Sequence, residues 1–111
     1  MIDINVTDHD QATLVQVSGR VDSMNADQFG EALNTQIDDG KIYLVLDLSS
    51  VEYMSSAGLR EIVTTLKKAK KAQGDLRIAQ PSQRVREVLE MAGLDTIFKI
   101  FETQDEAFGS F

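Results

Sequence analysis

Three observations predict an α/β fold with the element order ββαβαβαβα. Two short segments with alternating apolar residues open the chain, at residues 2–6 and 14–17. Residues 42–48 then form an apolar run interrupted only by Asp47, which is typical of a strand buried on both faces. Helical and strand periodicities alternate after the initial hairpin. This alternation implies a mixed sheet that is parallel in the middle, with right-handed crossovers.

The first half of the chain predicts a hairpin, a helix and a central strand. The hairpin consists of residues 2–7 and a second strand ended by Ser18-Gly19, and Val21 either continues this strand or starts the exit from it. Asn25 is a suitable N-cap for the helix, and Gln28 three residues later completes a capping-box pattern. Gly40 is suited to the end of this helix. The central strand is expected to end at residue 48, where a hydroxyl-rich connection begins.

The second half predicts three helices and two strands. Apolar residues at helical spacing occupy 59–69, and lysines crowd the end of this helix, where the helix dipole favours cations. A strand follows at 76–79, and Ser82 is a plausible N-cap for a helix that ends at Gly93. Residues 97–100 predict a short last strand, and Thr103 can cap a final helix through residue 108.

Composition narrows the class of protein. A chain of 111 residues with 42% hydrophobic residues has the size and core of one domain, residues 1–111. Its net charge of −7 opposes contact with nucleic acid or anionic lipid surfaces. No signal peptide and no apolar run long enough for a membrane span is evident. We therefore expect a cytoplasmic protein that neither binds nucleic acid nor inserts into membranes.

Residues for enzyme chemistry are scarce. The chain has no cysteine and a single histidine, His9, in a polar turn far in sequence from any nucleophile. It contains neither of the glycine-rich phosphate-binding patterns G-x-x-x-x-G-K-[ST] and G-x-G-x-x-G. The acidic pairs and the lysines at 67–71 suit solvated turns and helix ends. The sequence therefore predicts a non-enzymatic protein without a metal site or a cofactor.

Ser55 and Ser56 are the most informative polar residues. They lie between the central strand and a helix, just before Gly58. One reading is helix capping, for which one serine is enough. The other is a phosphorylation switch, because a helix N-terminus tolerates an anion and glycine permits close approach of another molecule. From the residues alone both readings stay open.

The segment around these serines resembles a known family. Residues 44–62 read L-V-L-D-L-S-S-V-E-Y-M-S-S-A-G-L-R-E-I, preceded by V-S-G-R-V-D at 17–22 and followed by V-R-E-V-L-E-M-A-G-L at 85–94. In order and spacing, these stretches resemble the STAS domain of bacterial anti-sigma factor antagonists. The resemblance covers nearly the whole chain. It implies a STAS-like mixed sheet with helices packed mainly on one face.

The resemblance also implies a regulatory function. In such antagonists, an anti-sigma factor with serine-kinase activity phosphorylates a serine at this helix start. The unphosphorylated form binds the anti-sigma factor, which releases a sigma factor to activate transcription, and a serine phosphatase resets the switch. Ser56 falls on the phosphorylated position. Ser55 replaces the family's aspartate and is an alternative acceptor, and Ala57 replaces a hydroxyl residue.

By the same resemblance, the expected partner-binding surface joins two segments. It comprises Asp22, Ser23, Met24, Asn25, Ser55, Ser56, Ala57, Gly58 and Arg60. Two further roles of such a domain remain open. One is an interaction module in another assembly, such as a lipid-transport complex or a stress-signalling scaffold. The other is a module that binds a nucleotide at the positive end of the helix.

Overall fold

The structure of the protein is a computed structural model that describes residues 2–111, and it confirms the predicted order of elements. The strands are β1 (Ile2–Asp8), β2 (Thr13–Val21), β3 (Tyr43–Met54), β4 (Asp75–Ala79) and β5 (Ile100–Phe101). The helices are α1 (Ala26–Asp38), α2 (Ser56–Lys71), α3 (Gln83–Met91) and α4 (Gln104–Gly109). A short 3-10 helix, Leu94–Thr96, lies between α3 and β5.

The sheet is mixed, as predicted, and its strands follow chain order. β1 pairs with β2 in an antiparallel hairpin, and β2, β3, β4 and β5 are parallel to one another. Because β2, β3 and β4 run in the same direction, their carboxyl ends lie at one edge of the sheet. The helices α1, α2 and α3 each begin just after one of these strands. Three helix N-termini therefore lie along the same edge.

Three of the four helices cover one face of the sheet. Their apolar sides and the inward residues of the strands form the main core, which includes Phe29, Leu33, Leu44, Leu46, Leu48, Ile62, Leu66, Val85 and Leu89. Every side chain from 44 to 48 is buried, which confirms the prediction that this part of β3 is covered on both faces. Large side chains buried this completely each contribute about 1.5–3 kcal/mol to folding.

The fourth helix, α4, covers part of the opposite face. Phe108 of α4 packs in a second cluster that includes Leu14, Val45 and Ala79. Beneath α4, the buried carboxylate of Asp47 accepts hydrogen bonds from Gln80 Nε2 (3.0 Å) and from Gln104 Nε2. The rest of this face is open and polar. The prediction of helices mainly on one face is thus confirmed.

The predicted end of the central strand is wrong. β3 continues past Leu48 to Met54 and stays paired with β2, which itself continues past Gly19 to Val21. Two register shifts in this pairing insert one extra residue each into β3. The alternation of buried and exposed residues is interrupted there, which made the segment resemble a polar connection.

Two smaller predictions also fail. Asn25 precedes α1 but does not cap it: its Oδ1 accepts from the amide of Asp22 (2.9 Å), and its Nδ2 donates to the carbonyl of Arg20 (2.9 Å). The capping box with Gln28 is therefore not formed. The last strand is shorter than predicted, because Phe98 enters the core from the turn after the 3-10 helix and only Ile100–Phe101 pair with β4.

Gly74 provides a test of the packing between α2 and the start of β3. A Cβ atom at this position would overlap the backbone oxygen of Ile42, which cannot swing away as a side chain can. We expect Gly74→Ala to lower the free energy of unfolding by about 3 kcal/mol in urea denaturation. Gly109→Ala is the matched control, because its Cβ would meet no atom within 4 Å. Equal stabilities of the two variants would contradict this account of the packing.

Candidate functional site

The junction between β3 and α2 holds the two serines. β3 ends at Met54, Ser55 follows, and Ser56 is the first residue of α2. The amide of Ser55 donates to the carbonyl of Val21 at the end of β2 (2.8 Å). The carboxyl end of β2 is therefore tied directly to the start of α2.

Ser55 caps helix α2. Its backbone is extended (φ −79°, ψ 166°), and its side-chain oxygen accepts from the amide of Gly58 (3.1 Å). This is the geometry in which an N-cap residue satisfies one of the unpaired amides of the first turn. The capping reading is confirmed for Ser55, and one serine is indeed enough for it.

Ser56 differs from its neighbour in exposure and in hydrogen bonding. Its side chain is exposed, and its hydroxyl makes no hydrogen bond with any other residue in the range 2–111. Arg60, also exposed, lies four residues later in α2, on the same side of the helix as Ser56. The site thus offers a free hydroxyl to solvent beside a cation and the amides of a helix N-terminus.

Gly58 is buried against its own chain. A Cβ atom there would lie 2.5 Å from Met54 Sδ and 2.7 Å from Val21 Cγ1. The physical need for glycine is thus the close packing of α2 on the ends of β2 and β3, rather than room for another molecule. Contact between a partner and Gly58 stays a prediction.

The loop at residues 22–25 lies at the same edge of the sheet. Asp22 Oδ1 accepts from the amides of Met24 (3.0 Å) and Asn25 (3.1 Å), which fixes a tight turn directly after β2. The side chain of Met24 is 93% exposed. Because Val21 bonds to Ser55, the structure brings both segments of the predicted binding surface to one edge, with Ser23 exposed and Ala57 half-buried.

The opposite edge of the sheet holds the histidine. His9 lies in the turn between β1 and β2, exposed, with its ring 4.5 Å from that of Phe108. It is therefore remote from Ser56 and does not activate its hydroxyl.

Within residues 2–111 no three acidic or histidine side chains converge as metal ligands. No helix in that range is long and apolar enough to cross a bilayer.

One carboxyl group has a shifted pKa, and it also lies at the opposite edge. The ammonium of Lys41 donates to Asp8 Oδ2 (3.1 Å), and the hydroxyl of Thr13 donates to Asp8 Oδ1 (3.1 Å). These two contacts, Lys41 first, hold the pKa of Asp8 below its ordinary value. The contacts join the end of β1 to the start of β2 and to Lys41, two residues before β3, and they do not involve the serines.

The unequal roles of the serines predict unequal effects on stability. Ser55→Ala removes the cap and should lower the free energy of unfolding by about 1 kcal/mol. Ser56→Ala removes no hydrogen bond within the described chain and should change it by less than about 0.5 kcal/mol. Urea denaturation of both variants measures the difference. Ser55→Asp is the control, since aspartate is also a good N-cap and should retain the stability.

Known proteins with similar sequences and structures identify the family. The STAS domain pattern matches residues 3–107. BtrV of Bordetella bronchiseptica, described as a candidate anti-sigma factor antagonist, is 37% identical over 86% of this chain and 82% of its own. The anti-sigma-F factor antagonist RsfB of Mycobacterium tuberculosis is 30% identical over 96% of this chain and 86% of its own.

A solved structure shows the same relationship. The crystal structure of an anti-sigma factor antagonist from Mycobacterium paratuberculosis superimposes with a TM-score of 0.90 at 32% identity, covering 99% of this chain and 93% of that one. The order of strands and helices, the serine-bearing junction and these likenesses agree. The chain belongs to the STAS domain family.

Proposed function

We propose that this protein is an anti-sigma factor antagonist whose binding is switched by phosphorylation of Ser56. The supporting observation is the free, exposed hydroxyl of Ser56 at the start of α2, next to a serine that already serves as the cap. The names of its relatives support the same role. In its unphosphorylated form the protein binds an anti-sigma factor, and a sigma factor is released to activate transcription.

A phosphate on Ser56 would alter the surface rather than the fold. It adds about −1.5 to −2 charge at a helix N-terminus, where backbone amides and the dipole favour an anion. Arg60 lies one helical turn away on the same side. The cap at Ser55 is not involved, so the helix start is retained. A partner packed over this edge would have to desolvate the new charge, and an unpaired buried charge opposes binding strongly.

The replacement of the family's aspartate by Ser55 is compatible with this role. Aspartate and serine are among the best N-cap residues, and both accept a hydrogen bond from an amide in the first turn. Ser55 makes this bond with Gly58. Because Ser55 is half-buried and its side-chain oxygen is engaged in the cap, Ser56 is the better phosphate acceptor of the two.

The proposed partners follow from the switch. An anti-sigma factor with serine-kinase activity binds the edge formed by residues 22–25 and 55–60, with Met24 as an exposed apolar contact. A serine phosphatase acts on the phosphorylated form. The protein itself is a cytoplasmic binding protein, not an enzyme.

Charge at residue 56 should decide partner binding. We expect Ser56→Asp to bind the anti-sigma factor at least about tenfold more weakly than the unchanged protein, because a negative charge enters the contact surface. Ser56→Ala should bind normally. Calorimetry with the purified anti-sigma factor measures both. Thr64→Asp, which places the same charge on an exposed position of α2 two turns away, should bind normally as a control. Equal affinities of the Ser56→Ala and Ser56→Asp variants would refute the switch.

Phosphate should be found on Ser56 in the native cell. Intact-mass measurement and peptide mapping of the recovered protein should show one phosphate, located on Ser56, because its hydroxyl is free while that of Ser55 is engaged. Ser56→Ala should abolish this phosphate. Phosphate on Ser55 instead, or on neither serine under conditions that activate the kinase, would contradict the assignment. In the last case, co-purifying proteins would identify the assembly that uses the domain.

A further inference from the structure

A cleft of about 680 Å³ opens beside the second half of β3. It lies on the part of the sheet that α4 leaves uncovered. Of its lining residues, only Ser82 was predicted to have a role, as a helix cap. Its polar lining consists of Arg20, Ser49, Ser50, Glu52, Ser82 and Arg84.

The cleft is formed by the difference in length between β3 and β4. β4 ends at Ala79, whereas β3 continues to Met54, so α3 begins alongside the extended part of β3. The amide of Ser82 donates to the carbonyl of Leu48 (3.3 Å), and its hydroxyl donates to the carbonyl of Val51 (2.7 Å). These bonds hold the start of α3 against β3, so the cleft has a fixed wall.

Two arginines at this cleft lack acidic partners. Neither Arg20 nor Arg84 forms an ion pair within residues 2–111, whereas Arg77 pairs with Asp75 (3.2 Å) and Arg86 pairs with Glu102 (2.9 Å). The guanidinium of Arg20 is 4.6 Å from the centre of the Tyr53 ring, which orients it over the open face. In a chain of net charge −7, two unpaired arginines in one cleft favour an anionic ligand.

Uncharged donors complete the lining. Ser49 and Ser50 are both exposed, because the register shift in β3 interrupts the normal alternation at this point. At the start of α3, the amides of Gln83 and Arg84 donate to no acceptor within residues 2–111. Guanidinium groups, hydroxyls and amides together match the several oxygens of a phosphate group better than the two of a carboxylate.

We propose that the cleft between Arg20 and Arg84 binds a phosphate group. The two guanidinium groups bind its oxygens, and the serine hydroxyls at 49 and 50 donate further hydrogen bonds. Glu52 lies in the same lining, unpaired within the described residues, and its charge opposes the ligand. This binding involves neither Ser56 nor the anti-sigma factor, so it goes beyond the proposed function and does not depend on it.

Titration of the full chain with phenyl phosphate, followed by amide NMR at low ionic strength, tests the proposal. We expect saturable shifts at Ser49, Ser50 and the first residues of α3. Arg20→Gln and Arg84→Gln should each weaken binding about tenfold, the usual effect of losing one charge-assisted contact. Glu52→Gln should strengthen it. The double variant Arg20→Gln/Arg84→Gln should bind more weakly than either single variant. Its control is Lys67→Gln/Lys70→Gln, which changes net charge by the same amount on exposed positions of α2 and should leave binding unchanged.

Two further probes identify the source of the phosphate. If inorganic phosphate binds as tightly as a phosphoserine peptide, the ligand is free phosphate or a small ester. If the peptide binds more tightly, the phosphate is carried by a protein segment. No saturable shifts at the cleft, shifts confined to the start of α2, or equal losses in the lysine and arginine double variants would overturn the proposal. A failure of the Ser56 experiments would leave these results unaffected.

Discussion

The parallel pairing of β2 with β3 supports both the fold and the site. It joins the initial hairpin to the rest of the sheet, and it continues to the last residue of each strand, where Val21 faces Met54. One bond further, the amide of Ser55 donates to Val21. The position of the first residue of helix α2 is therefore fixed by both strands, β2 and β3. The close packing of Gly58 on Val21 and Met54 depends on the same register.

This arrangement separates the tasks of two adjacent serines. The side-chain oxygen of Ser55 accepts a hydrogen bond from an amide of the helix. The hydroxyl of Ser56 is exposed to solvent and makes no hydrogen bond within the described chain. The hydroxyl that is free for chemistry is thus not the one that stabilises the helix. Such a division suits a residue that is to be modified and restored repeatedly, because modification leaves the structural hydrogen bond in place.

Much of the fold could be predicted because local patterns agreed with tertiary structure. Some features depend only on residues that are close together in the sequence. They are the apolar run at 42–48, the helical spacing at 59–69 and the cap at Ser82. The end of β3 and the role of Asn25 could not be predicted this way. The end of β3 depends on pairing with β2, a strand more than twenty residues before Ser49–Met54, and periodicity carries no information about such a partner. Asn25 is engaged instead by Arg20 and Asp22, which lie only a few residues before it but are positioned by the continuation of β2 to Val21. The arginine cleft was missed for the same reason, since Arg20 and Arg84 come together only through the sheet.

The two register shifts in β3 bear on how the length of this strand can change. Each shift places an extra residue in β3, after which Val51 and Met54 return to the main core. Deleting one residue at a shift would let β2 and β3 pair one to one there, with Val51 and Met54 still facing the core. Deleting one residue from the regular pairing at 44–47 would instead turn the following side chains to the other face, placing polar groups in the core. The shifted part of β3 therefore tolerates the loss of a residue, whereas the regular part does not.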